Sequence, residues 1–145
     1  MNKIEELLPH REPFLFVDEI VEASKERIVA RHVFTEGEFF FRGHFPQYPV
    51  VPGVILVETM AQSGGAGLRQ LGIFGGEAGQ GTLFFLASVD KVKFRRQVRP
   101  GEEVRSEIRN LRISERMIKQ AGKAYVGDEL AAEAEWLCLV SHSGS

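Results

Sequence analysis

Fifteen residues, Val54 to about Leu68, constrain this chain more than any others. They read as a helix. Pro52-Gly53 offers a helix entry, and Gly64-Gly65 with Gly67 weakens the far end. Val54, Ile55, Leu56, Val57, Met60, Ala61, Ala66 and Leu68 make the segment apolar nearly all round. Such a helix is enclosed by other structure rather than laid on a surface. It is the one long helix in the sequence; Ile4 to Leu8 adds a short N-terminal one.

The enclosing structure is expected to be strand. Phe14 to Val21 reads as a first strand, and the β-branched run Arg27 to Phe34 as its neighbour. Phe39 to Gly53 is neither helix nor strand. Pro46, Pro49 and Pro52 each remove an amide donor and restrain the preceding residue, which makes a stiff loop. After the glycine-rich stretch Gly72 to Gly81, read as a surface loop, the chain is strand to its end. Thr82 to Val98 forms one strand or two. Glu103 to Ile113 follows, with a change of apolar phase between Ile108 and Leu111 that suggests a bulge. Met117 to Val126 and Leu130 to Val140 flank Gly127-Asp128, a two-residue hairpin turn. In the last strand Leu130, Ala132, Ala134, Trp136, Cys138 and Val140 share one face. One apolar helix with about six strands predicts an α+β fold, a curled antiparallel sheet around a single buried helix.

With 145 residues, 43% hydrophobic and 26% charged, the chain is one domain's worth of ordinary globular polypeptide. A net charge of −2 excludes a whole-protein basic footprint for nucleic acid. No apolar run approaches the roughly 18 residues of a membrane span. The N-terminal residues carry no signal-peptide core, and the single cysteine, Cys138, makes no internal disulfide. The expected compartment is a reducing cytoplasm.

Two residues stand out chemically. Glu58 lies inside the apolar helix, with Val54, Ile55, Ala61 and Gln62 beside it at helical spacing. An exposed stripe or an arginine partner would accommodate it. If it is enclosed unpaired, its pKa rises, and a carboxylic acid kept protonated near neutrality is a ready general acid. His44 sits in the proline-stiffened loop. Alone it reads as easily as a structural hydrogen-bonding group as a base. Read with Glu58 it gains meaning, because the rigid turn sets both near one helix start. There the amides of Gly53 and Val54 have no intrahelical acceptor. Base, acid and oxyanion donors suit proton abstraction next to a carbonyl.

Other chemistries find less support. A G-x-S-x-G elbow is absent, the glycine-rich stretch lacks a phosphate-binding or dinucleotide pattern, and His10, His32, His44 and Cys138 have no metal-site spacing. Charge is uneven. Lys91 to Arg112 carries eight basic residues against Glu102, Glu103 and Glu107, a local +5, while the remainder carries −7. Strand alternation puts Lys91, Lys93 and Arg95 on one face, either a solvated face or a dock for an acidic partner.

Gly43-His44-Phe45-Pro46-Gln47-Tyr48-Pro49-Val50-Val51-Pro52-Gly53-Val54, followed by Glu58 and Ala61-Gln62, resembles the signature of the FabZ-type 3-hydroxyacyl-[acyl-carrier-protein] dehydratases. Leu8-Pro9-His10-Arg11, Val89 to Arg95, Pro100-Gly101 and the last hairpin extend the resemblance over essentially the whole chain. It implies one hotdog domain spanning residues 1–145. It implies dehydration of a (3R)-3-hydroxyacyl thioester on acyl carrier protein to the trans-2-enoyl thioester, in fatty acid biosynthesis, with no metal or other cofactor. It also implies a homodimer or a trimer of dimers, in which the histidine of one subunit meets the glutamate of the other.

Residue by residue, the resemblance makes His44 and Glu58 catalytic and Gly53 the amide that holds the thioester carbonyl. Gln62 would orient the acid. Phe85 falls where many members place a tunnel-gating tyrosine, so the gate would lack a hydroxyl. Lys91, Lys93, Arg95 and Arg96 become the carrier-protein dock. Gln47, Gln97 and Glu102 depart from the usual glycine, proline and aspartate. The alternatives are a hotdog acyl thioesterase, a dehydratase that also isomerises the double bond, and a non-catalytic acyl-thioester-binding protein. Membrane insertion and nucleic-acid binding are not expected.

Overall fold

The computed structural model describes residues 4–73 and 82–142. The expected glycine-rich loop lies, from residue 74 to 81, outside the described residues. A short helix α1 (Ile4–Leu7) precedes strands β1 (Glu19–Ala23) and β2 (Arg27–Val33). A 3-10 turn over Phe39–Arg42 leads to the long helix α2 (Gly53–Gln70). Strands β3 (Thr82–Phe94), β4 (Glu103–Ile113), β5 (Met117–Val126) and β6 (Glu129–His142) complete the described chain.

The six strands form one antiparallel sheet in the order β1-β2-β4-β5-β6-β3. Helix α2 packs against all six. Six strands at about 4.8 Å spacing are roughly twice as wide as a helix of about 10 Å diameter, so the sheet has to curl around it. This is the expected hotdog arrangement. Trp136, Phe16, Phe34, Ile28, Met60, Leu68, Ile108 and Ile118 fill the space between and are almost wholly buried. The 5–6 hairpin turns at Gly127, whose φ of 58° favours glycine. The predicted bulge appears between Asn110 and Arg112. No described helix is long and apolar enough to cross a membrane.

Four expectations change. The first strand begins at Glu19, not Phe14. Leu15, Phe16 and Val17 are buried, but a side chain bonds the backbone here: Phe16 N–H donates to Gln62 Oε1 (2.8 Å), and Gln62 Nε2 donates to Phe14 O (3.1 Å). The loop also contains helix-like structure. Buried Phe40 and Phe41 pin the 3-10 turn, and His44 N–H donates back to Phe40 O at 3.0 Å.

Third, α2 runs through its glycines to Gln70. Those glycines let the helix approach the sheet. A Cβ at Gly67 would stand 2.5 Å from Ile28, and one at Gly64 would overlap the Gln120 amide. Close packing outweighs their poor helix propensity. Fourth, Val54 is not enclosed; it is 73% exposed.

Candidate active site

The loop that carries His44 is held at both ends. Tyr48 N–H donates to Phe45 O (2.7 Å), and Val51 N–H donates to Val98 O (2.7 Å). His44 Nδ1 lies 2.9 Å from Val50 O. A carbonyl only accepts, so Nδ1 carries the proton, and Nε2 of the neutral ring keeps its lone pair. His44 lines a groove of about 570 Å3 together with Gly53, Phe94, Arg95 and Arg96. Pro52 provides no side-chain cap to the helix beside it. The Gly53 and Val54 amides stand in the first turn, without intrahelical acceptors and at the positive end of the helix dipole.

Glu58, one and a half turns into α2, lines a different pocket of about 170 Å3, with Leu8, His10, Gln62, Phe85 and Cys138. Burial raises its pKa, and the hydrogen bond from Gln62 Nε2 to Oε2 (2.9 Å) pulls the other way. Gln62 is 2% exposed and is aimed by its bonds to the Phe14–Phe16 backbone. His10 Nε2 stands 3.5 Å from Glu58 Oε2. Burial, and then the Arg11 charge, lower the His10 pKa. Burial thus disfavours the charged form of each partner in this contact.

The single helix start expected to unite His44 and Glu58 does not do so within one chain. Among the described residues the two pockets have no lining residue in common. His44 keeps company with the helix amides, and Glu58 with Gln62. Phe85 borders the Glu58 pocket and is 52% exposed.

The basic residues are also divided. A register shift between Asp90 and Lys93, with Lys91 at φ 53°, breaks the alternation that would set Lys91, Lys93 and Arg95 on one face. Lys91 borders a third groove with Glu107, Arg109 and Glu135, whereas Arg95 and Arg96 border the His44 groove. Lys91 pairs with Glu135 (3.5 Å) and Arg95 with Glu133 (2.8 Å). Arg96 pairs with Glu102 (2.8 Å) and Glu129 (3.4 Å).

Two residues of the Glu58 pocket, His10 and Arg69, were not among the expected site residues. His10 was signalled only by the Leu8-Pro9-His10-Arg11 motif. Arg69 lines the same pocket. Its signal was helical arithmetic, because eleven residues beyond Glu58 returns to the same helix face.

A FabA-like domain matches residues 8–135. The chain is 46% identical over 141 residues to the "3-hydroxyacyl-[acyl-carrier-protein] dehydratase FabZ" of Desulforamulus reducens, covering 97% of this chain and 96% of that protein. It is 43% identical over 142 residues to the same-named protein of Pelotomaculum thermopropionicum, covering 97% of each. Among solved structures, a chain of the dehydratase heterocomplex ApeI:P from Xenorhabdus doucetiae superposes with a TM-score of 0.78 at 13% identity, over 100% of this chain and 93% of that one. At that identity the likeness concerns the fold.

Proposed function

The chain belongs to the FabZ-type dehydratases of the FabA-like family, and we propose that it carries out their dehydration through His44 and Glu58 supplied by two different protomers. The reaction is removal of water from a 3-hydroxyacyl-[acyl-carrier-protein] in fatty acid biosynthesis. Nε2 of His44 takes the C2 proton. The electrons of the C2–H bond form the C2=C3 double bond while the thioester oxygen, bonded to the Gly53 N–H, bears the developing charge. The C3–O bond breaks as Glu58 gives its proton to the departing hydroxyl, and water leaves. Proton return from imidazolium to carboxylate, through solvent, resets the pair. One oxyanion donor supplies about 2.7–4 kcal/mol of barrier lowering, and a positioned acid or base about 10²–10⁴-fold.

The observation that carries this reading is the division of the chemistry into two incomplete halves. One groove holds a base and helix amides. The other holds an acid whose burial favours its protonated form. Strand β3, a sheet edge, runs between them. Its start, Phe84 to Leu86, borders the Glu58 pocket, and its end, Phe94, borders the His44 groove. Antiparallel pairing of β3 with the same strand of a second copy sets the start of each beside the end of the other. It also covers a long edge bearing exposed Phe85, Val92 and Phe94. Phe85 then stands at the mouth of the acyl pocket as its gate. Arg95 and Arg96, at the rim of the His44 groove, receive the acidic carrier protein together with Lys91 and Lys93.

The test is hydration of a crotonyl thioester, the reverse reaction, by wild type, His44→Ala and Glu58→Gln. Loss of at least 10²-fold in each is expected. Full activity in either variant sinks the assignment, and release of free thiol by the wild type would point to a thioesterase instead.

A further inference from the structure

Glu58 is met on one oxygen from two sides. Gln62 Nε2 donates to Oε2 at 2.9 Å, and His10 Nε2 stands 3.5 Å from the same atom. Among the described residues Oε1 accepts no hydrogen bond. The segment that brings His10 here is tied down. Leu7 and Leu8 are buried, and the Arg11 guanidinium donates to Glu5 O (3.1 Å), Leu8 O (2.8 Å) and His10 O (2.7 Å).

The two ring nitrogens of His10 differ. Nδ1 is closed off from solvent and has no hydrogen-bond partner. A neutral imidazole carries a single ring N–H. Placed on Nδ1, that proton would be a buried donor without an acceptor, which is costly. Placed on Nε2, it is directed at Glu58 Oε2. Burial, and then the Arg11 charge, favour the neutral ring, and a charged ring would carry the Nε2 proton as well. In either state Nε2 is a donor. Two donors on Oε2 leave Oε1 as the oxygen that carries the acid proton. A separation of 3.5 Å is long for a hydrogen bond, and such contacts at reacting groups tighten in the transition state.

Resting on the dehydratase reading, we propose that His10 is a positioning residue for the acid: with Gln62 it occupies Oε2, keeps the transferable proton on Oε1, and donates from Nε2 to the carboxylate that forms. When the Oε1–H bond breaks, its proton goes to the C3 hydroxyl and its electron pair stays on Glu58. The His10 and Gln62 N–H groups meet that charge, and His10 itself gives up no proton. The other titratable or charged groups around this pocket are Arg69 of α2 and Cys138 of β6, with Arg11 next to His10. Burial pushes the Cys138 thiol up to about 11, and all three groups are common to the variants compared.

The experiment follows dehydration of a (3R)-3-hydroxybutyryl pantetheine thioester against pH in wild type, His10→Leu and His10→Gln. Leucine removes the donor, whereas glutamine keeps an N–H and does not titrate. His10→Leu should lower kcat about tenfold and leave KM within about twofold. It should also move the alkaline limb of the kcat profile about one pH unit higher, because the carboxylate loses a charge-assisted bond. His10→Gln should recover most of that loss, to within about threefold of wild type, with the limb restored. An equal loss in both variants overturns the proposal, and so does a His10→Leu limb that stays at the wild-type pH. Heteronuclear resonance spectra of wild type labelled at its histidine nitrogens, with the His10 signals assigned by their loss in His10→Gln, read the ring without turnover. A proton on Nε2 is expected, and a ring protonated on Nδ1 alone overturns the proposal. Absence of any dehydration by wild type would count against the dehydratase reading, whereas the Nδ1 tautomer counts against His10 alone.

Discussion

Replacing Gln62 by leucine changes shape little and removes three hydrogen bonds at once. Its amide accepts from Phe16 N–H and donates to Phe14 O and to Glu58 Oε2. Each backbone bond is worth about 1 kcal/mol net, and a buried Phe16 N–H left without an acceptor costs about 1–3 kcal/mol. The expected loss is about 2–4 kcal/mol. With a urea slope of about 1–3 kcal/mol per M, the unfolding midpoint should fall by about 1–2 M. The same change acts on the acid. The Gln62 bond opposes the upward shift that burial imposes on Glu58, so its removal sends that pKa higher still. In the proposed mechanism dehydration needs Glu58 protonated, so it should fade as pH rises through the Glu58 pKa. The alkaline limb of the kcat profile should therefore move to higher pH. A midpoint within about 0.5 kcal/mol of wild type, the range of an ordinary surface substitution, would refute the structural half of this reasoning. A limb displaced to lower pH would refute the electrostatic half.

Burial alone would lower the pKa of His32, but hydrogen bonds to Asp18 (2.8 Å) and Glu38 (3.2 Å) push it up to about 9. A histidine raised from 6.5 contributes stability that is fully present below pH 6.5 and lost as pH rises through about 9; at about 1.4 kcal/mol per unit this amounts to a few kcal/mol. Unfolding curves between pH 6 and 10 should show that loss, and His32→Leu should flatten it. Burial, and then the Glu58 charge, push the Cys138 thiol up to about 11. Iodoacetamide at pH 8 should leave it unmodified in the native protein and alkylate it in urea, and rapid native labelling would contradict its burial. Charge reversal at Lys91, Lys93 and Arg95 should raise KM for the carrier-bound substrate and barely change it for a pantetheine analogue; equal effects would remove the docking role.

The helix and the last hairpin were legible because each follows a local rule, an apolar run with an entry signal and a Gly-Asp turn between alternating strands. The start of β1 was not, because the deciding acceptor is a side chain 46 residues away. Helix propensity underrated Gly64 and Gly67, whose value lies in the approach of α2 to Gln120 and Ile28. Glu58 was conspicuous as a carboxylate in an apolar helix, and His44 as an imidazole in a stiff loop. Their division between two pockets depends on how the helix start faces its surroundings, which spacing along the chain does not encode. The pairing of Lys91 and Arg95 with Glu135 and Glu133 depends on the register of β3 against β6 and on its bulges. Arg69 lies past the apolar run that marks the helix in the sequence, and its burial shows only in the folded structure.

The composite site is tested most directly by mixing inactive His44→Ala and Glu58→Gln protomers, unfolding them together and refolding them. If each site takes His44 from one protomer and Glu58 from its partner, half of the randomly formed dimers carry one intact site out of two. Crotonyl thioester hydration should then return to about one quarter of the wild-type rate. A mixture that stays as inactive as either variant alone, although mixed dimers have formed, would contradict the account and place the whole site within a single chain.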